Sequence, residues 1–96
     1  MKSLHTTEEI IQDIREGRMV IMTDDETREN EGDIVFAASK TTPERVNFMM
    51  KFARGLICIP MTADRIQALG LDQMNPNPED PMKTAFTMSV DAKTGL

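Results

Sequence analysis

Apolar positions along this chain fall into short blocks separated by polar intervals, and the spacing inside each block predicts its conformation. Ile10, Ile11 and Ile14 recur at helical spacing behind Thr6-Thr7-Glu8-Glu9, where Thr6 and Glu9 stand at capping-box spacing. Gly17 supplies a left-handed stop, so residues 7–16 read as an amphipathic helix. Met19-Val20-Ile21-Met22 is a continuous apolar run too short for a helix, and it reads as a strand buried on both faces. After a strongly polar interval, Ile34-Val35-Phe36-Ala37-Ala38 resumes a run of the same kind. Thr41 with Glu44, Pro43 near the first helical position, and Val46, Phe48, Met49, Met50 and Phe52 predict a second helix, ended by Gly55. Leu56-Ile57-Cys58-Ile59 reads as a third buried strand, closed by Pro60. Thr62 caps a short helix containing Ile66, Ala68 and Leu69, which Gly70 terminates.

Residues 72–82 carry Asn75-Pro76-Asn77-Pro78 and Asp80-Pro81, the chemistry of a loop, and one of this length is more often functional than idle. Thr84 to Val90 alternates and reads as a last strand. The order helix, strand, strand, helix, strand, helix, strand predicts an α+β fold with α/β-like layering, helices packing on a mixed sheet. No element follows the last strand to cover its edge, so the domain reads as incomplete.

Composition narrows the function classes. The net charge of −5 argues against a nucleic-acid surface, which needs clustered Lys and Arg. A phosphorylated metabolite is still admissible, because a local metal ion or arginine inverts the local potential. The single cysteine, Cys58, excludes an internal disulfide framework and fits a reducing cytoplasm. No apolar run lies between Met1 and Glu9, so no signal peptide is expected, and no segment approaches the length of a membrane span. With no Trp or Tyr and only four Phe, the nine Met residues are expected to fill gaps in the core.

The polar interval is the chemically distinctive part. Between Asp24 and Asp33, seven of ten residues are charged: Asp24, Asp25, Glu26, Arg28, Glu29, Glu31 and Asp33. A generic acidic run is a solvated loop. Here, however, Glu29, Glu31 and Asp33 alternate, and an extended backbone would aim all three to one side. Gly32 allows a turn or a close approach to a ligand. Converging carboxylates are the oxygen donors that Mg²⁺ takes, one or two from protein with water or substrate completing the shell. Crowding also raises the pKa of one member, which creates a candidate general acid or base. An EF-hand is excluded, because Gly32 as sixth loop position would put Thr27 at the first. Arg28 suits bidentate capture of a phosphate or carboxylate, and a structural salt bridge to a neighbouring acid is the equally open alternative.

The run Asp24-Asp25-Glu26-Thr27-Arg28-Glu29-Asn30-Glu31-Gly32-Asp33 closely resembles the signature of the 3,4-dihydroxy-2-butanone 4-phosphate synthase family of riboflavin biosynthesis. The resemblance continues through Arg54-Gly55-Leu56-Ile57-Cys58, Met61-Thr62-Ala63-Asp64-Arg65, Leu69-Gly70-Leu71 and Thr84 to Ala92, in the family's order. It implies a lyase that converts D-ribulose 5-phosphate into L-3,4-dihydroxybutan-2-one 4-phosphate and formate with Mg²⁺, or Mn²⁺ as the alternative ion. It also implies a cytoplasmic homodimer with no nucleic-acid or membrane partner.

Carried over by position, the resemblance makes Glu29 the metal-binding carboxylate and Arg28, Glu29 and Asp33 the substrate contacts. Asp24 and Glu31 become candidates for proton transfer or substrate hydroxyl binding, and Cys58, which matches a pocket-lining cysteine, becomes a third catalytic candidate. Taken alone, Cys58 reads as a buried core thiol among isoleucines. His5 matches no family ligand and reads as a surface residue. The family's second metal ligand, a histidine in an Arg-x-x-His-Thr segment, and a further catalytic Glu have no match in residues 1–96. Residues 1–96 are therefore expected to be the N-terminal portion of one synthase domain, with little activity alone. Two other readings are a non-catalytic module that binds metal or phosphate weakly, and the first part of a bifunctional enzyme carrying GTP cyclohydrolase II.

Overall fold

A computed structural model describes residues 4–75 and 85–95. The chain forms two compact units, Met1–Ile59 and Pro60–Leu96. The first opens with α1, Thr7–Arg15. Its start is the expected capping box: the Glu9 amide donates to Thr6 Oγ1 at 3.2 Å, and the Thr6 amide donates to Glu9 Oε1 at 3.0 Å. Its end is Gly17, whose φ of +82° lies in the left-handed region. The Arg18 amide then donates back to the Asp13 carbonyl at 2.9 Å, satisfying a terminal acceptor.

The strands β1, Val20–Thr23, and β2, Gly32–Val35, pair antiparallel from Val20 opposite Val35 to Thr23 opposite Gly32. Among the described residues they form a two-stranded hairpin, and no larger mixed sheet is present there. The α+β class stands. The expectation of β1 buried on both faces does not, since Val20 is 6% exposed whereas Ile21 is 70% exposed. Helix α1 packs on β1 and the helical segment after α2 packs on β2; among the described residues no further layer covers Ile21.

A 3₁₀ turn, Ala38–Lys40, leads to α2, Pro43–Phe48. The cap is Thr42 rather than Thr41: the Arg45 amide donates to Thr42 Oγ1 at 3.1 Å, and Pro43 takes the first helical position. The helix widens into a π-helical segment, Met49–Ala53, where the Arg54 amide reaches back five residues to the Met49 carbonyl at 3.1 Å. Arg54 itself, at φ +58°, makes the left-handed exit expected of Gly55.

The segment Leu56 to Ile59 is not a strand, and all four of its side chains are exposed. An apolar, β-branched run acquires strand structure from a pairing neighbour more than from its own propensity, and no strand pairs with it among the described residues. In the second unit, Thr62 caps α3, Ala63–Ala68, and Gly70 follows at φ +70°, both as expected. The predicted last strand is reduced to one antiparallel bridge between Gln73 and Thr87. The Met74 amide donates to the Phe86 carbonyl at 2.9 Å, and the Met88 amide donates to the Asp72 carbonyl at 2.8 Å. Thr84 and most of the proline-rich loop fall in residues 76–84, outside the described part.

Val20 is the one buried hydrophobic side chain among the described residues. The described methionines do not fill a core: Met22, Met50, Met61, Met74 and Met88 are exposed, and Met19 and Met49 are half-buried.

Candidate active site

The acidic segment is the loop that closes the β1–β2 hairpin. Its base continues the ladder by one bond, the Asp24 amide donating to the Glu31 carbonyl at 3.3 Å. Its tip is a turn organised on the Asp25 carbonyl, which accepts from the Arg28 amide at 3.0 Å and from the Asn30 amide at 3.2 Å. Asn30 takes φ +53°, a left-handed conformation that Asn tolerates because its short side chain relieves the steric cost. Sequence reading passed over Asn30, although an Asn in a charged loop before a strand is a recognised signal for such a position. This reversal also breaks the extended backbone on which the alternation argument rested. Glu29 lies in the turn, while Glu31 and Asp33 lie beyond Asn30, Glu31 just before β2 and Asp33 within it.

Asp24 is the hub of the loop. Its Oδ1 accepts the Glu31 amide at 2.9 Å, and its Oδ2 accepts the Glu29 amide at 3.0 Å. Oδ2 also accepts Arg28 Nη1 at 3.0 Å, and the same Nη1 pairs with Glu29 Oε1. These bonds hold the Asp24 carboxyl below the ordinary aspartate range. The Glu31 amide contributes most, the Glu29 amide and the Arg28 guanidinium add to it, and partial desolvation opposes them. Arg28 is held protonated more firmly than usual, first by its hydrogen bond to Asp24 and then by the charge of Glu29. Asp24 is thus an ionised acceptor with its lone pairs engaged, not a carboxyl raised by crowding.

The structure brings together the side chains of Asp24, Arg28 and Glu29 and ties Glu31 to them through its backbone. Asp33 stands opposite Met22 in the hairpin, with its residue exposed. Cys58 is exposed rather than a core thiol, because the segment carrying it is unpaired. No hydrogen bond or ion pair joins Asp33 or Cys58 to the loop cluster among the described residues. His5 is exposed, as expected. Of the two readings of Arg28, the salt bridge to neighbouring acids is the arrangement present.

No group of three or more His, Cys, Asp or Glu side chains among the described residues is arranged to hold a metal. Mg²⁺ asks less of a protein, one or two carboxylates with water and substrate completing an octahedron. Glu29, an exposed carboxylate, is of the oxygen-donor type that such a shell takes.

The family model for 3,4-dihydroxy-2-butanone 4-phosphate synthase matches residues 8–96. The chain belongs to this family. Among curated relatives of the synthase, the riboflavin biosynthesis protein RibBA of Aquifex aeolicus is 54% identical over 92% of this chain and 22% of its own length. The 3,4-dihydroxy-2-butanone 4-phosphate synthase of Pseudomonas aeruginosa is 49% identical over 98% of this chain and 26% of its own length. A crystal structure of a 3,4-dihydroxy-2-butanone 4-phosphate synthase in complex with two magnesium ions is similar at a TM-score of 0.88 and 42% identity, over 95% of this chain and 42% of that one. RibBX, a two-domain synthase of A. baumannii, is similar at a TM-score of 0.70 and 47% identity, over 82% of this chain and 23% of that one. The chain thus spans about a quarter of the length of these curated relatives. Among the described residues, no helix is long and apolar enough to cross a membrane.

Proposed function

We propose that this chain contributes the acidic loop of an enzyme converting D-ribulose 5-phosphate into L-3,4-dihydroxybutan-2-one 4-phosphate and formate. The observation that carries the reading is the Asp24–Arg28–Glu29 cluster at the hairpin tip, formed by the signature that the family model matches. Arg28 offers a planar, permanently charged donor set to the substrate's oxygens. Asp33 contributes an acceptor for a substrate hydroxyl from the adjoining strand. Glu29 is the carboxylate that would hold Mg²⁺, and the magnesium-bound relative supports that choice of ion. When bound, the ion polarises the substrate carbonyl and lowers the cost of enolisation. Glu31 and Cys58 remain the chain's candidates for moving protons, since neither side chain is held in a hydrogen bond and both are exposed.

The 96 residues are expected to be inactive by themselves, as part of one synthase domain. The exposure of Ile21, Phe48, Phe52, Leu56 and Ile59, against one buried apolar side chain among the described residues, supports this. The intact protein, supplied with ribulose 5-phosphate and Mg²⁺, should release formate and the four-carbon phosphate in equal amounts. Absence of both products would overturn the function, and formate release by residues 1–96 alone would overturn the inactivity. Relatives named RibBA favour the further reading that a second catalytic domain follows in the intact protein. GTP cyclohydrolase II activity of that protein is its test.

A further inference from the structure

We infer that Asp24 is a positioning residue for the synthase reaction, acting through Arg28 and Glu29 rather than exchanging protons with substrate. The inference rests on the function proposed above and assigns this acidic residue a different job from its neighbours. Three donors converge on one carboxylate: the Glu31 amide at 2.9 Å, the Glu29 amide at 3.0 Å and Arg28 Nη1 at 3.0 Å. Two of them belong to the residues that would contact metal and substrate. The third lies on the far side of the left-handed Asn30, so Asp24 ties both arms of the reversal to the end of β1. An exposed loop of six like-charged carboxylates would otherwise spread through mutual repulsion. By accepting backbone amides from within the loop, Asp24 offsets that repulsion and fixes where the Glu29 carboxylate and Arg28 guanidinium begin their side chains. A group with both oxygens committed in this way is poorly placed to take a substrate proton.

The nearest isostere separates the two roles. Asp24→Asn keeps one acceptor for a backbone amide but loses the second acceptor and the charge facing Arg28. In the intact enzyme, a positioning role predicts KM for ribulose 5-phosphate and the Mg²⁺ concentration for half-activation each raised about tenfold. The shape of the pH–rate profile should be unchanged, and Asp24→Ala should be worse than Asp24→Asn on both constants. A proton-transfer role predicts unchanged KM, loss of kcat and loss of one limb of the pH profile, and that result would overturn the inference. So would a uniform fall in active fraction with KM unchanged.

A second measurement needs neither a variant nor turnover. In the unmodified protein without metal or substrate, the Glu29 and Glu31 amides should exchange hydrogen at least about tenfold more slowly than in an unfolded peptide. Exchange at the unfolded rate would sink the inference, even in a protein that folds and turns over. Protected amides in a protein that makes no formate would leave the hub standing and remove the proposed reaction instead.

Discussion

Arg28 Nη1 reaches Asp24 Oδ2 at 3.0 Å and Glu29 Oε1 within the same turn, so one guanidinium nitrogen bridges the two carboxylates that flank it in the loop. Asp24 is the better satisfied of the two, because it also accepts two backbone amides. The difference decides how the loop responds to acid. A carboxyl whose folded pKa is depressed contributes order that is fully present above its unfolded pKa and is lost as pH falls through the folded value. Asp24 is such a group, so the loop should hold its shape at neutral pH and through mild acid, and open only below the ordinary aspartate range. Carboxyl-carbon NMR of Asp24 should show this low midpoint. In Arg28→Leu the midpoint should rise only part of the way, because the Glu31 amide is the largest cause of the shift. A full return to the ordinary value would assign the effect to Arg28 alone.

Arg28 is engaged by acids in the free chain, so under the proposed function substrate phosphate or carbonyl oxygen would compete for it. Arg28→Lys keeps the charge and loses the planar fork that suits a phosphate. Steady-state kinetics of the intact enzyme should show KM for ribulose 5-phosphate raised about tenfold, with a smaller loss in kcat. Unchanged KM would return Arg28 to the purely structural salt bridge.

Glu29→Gln removes the charge that a hard cation needs while keeping the side-chain shape. Titration of the intact protein with Mn²⁺, read by loss of the free-ion EPR signal, should show affinity weakened about tenfold or more. The Asp24 to Glu29 amide bond should survive the change, because it uses the Glu29 backbone. Unaltered Mn²⁺ binding would remove Glu29 from the metal site.

Local chemistry was legible in the sequence wherever it involves neighbours along the chain. Thr6 with Glu9, Thr62 before α3, Gly17 and Gly70 all act as their residue types dictate. The signature also located the loop. The parts that misled depend on partners distant in sequence. Among the described residues, Leu56 to Ile59 has strand composition without a strand to pair with, and Ile21 has a core side chain without a layer above it. Within the loop, alternation suggested three parallel carboxylates, and one left-handed residue, Asn30, redirected the chain between Glu29 and Glu31. Period-two reasoning holds only while the backbone stays extended.

The capping box on α1 is a direct check on that local legibility. Thr6→Ala removes the oxygen that accepts the Glu9 amide and should destabilise the fold by about 1 kcal/mol in chemical denaturation. Thr6→Ser should lose little, since the hydroxyl is retained. Equal losses in the two variants would point to the threonine methyl rather than the cap.

Asn30 offers the sharpest separation of backbone from charge, since it carries no charge and donates only its amide to the Asp25 carbonyl. At φ +53°, a β-branched side chain meets the neighbouring carbonyl, whereas glycine does not. Asn30→Val should therefore cost about 1–2 kcal/mol of local order, and Asn30→Gly should be close to neutral. Because the reversal sets where Glu29 and Glu31 present their amides to Asp24, the valine variant should also speed hydrogen exchange at both positions. The glycine variant should leave it nearly unchanged. The paired variants test whether the loop's geometry, with every charge left in place, is what gathers Arg28 and Glu29 at its tip; equal exchange in the two would show that the charges gather them without the turn.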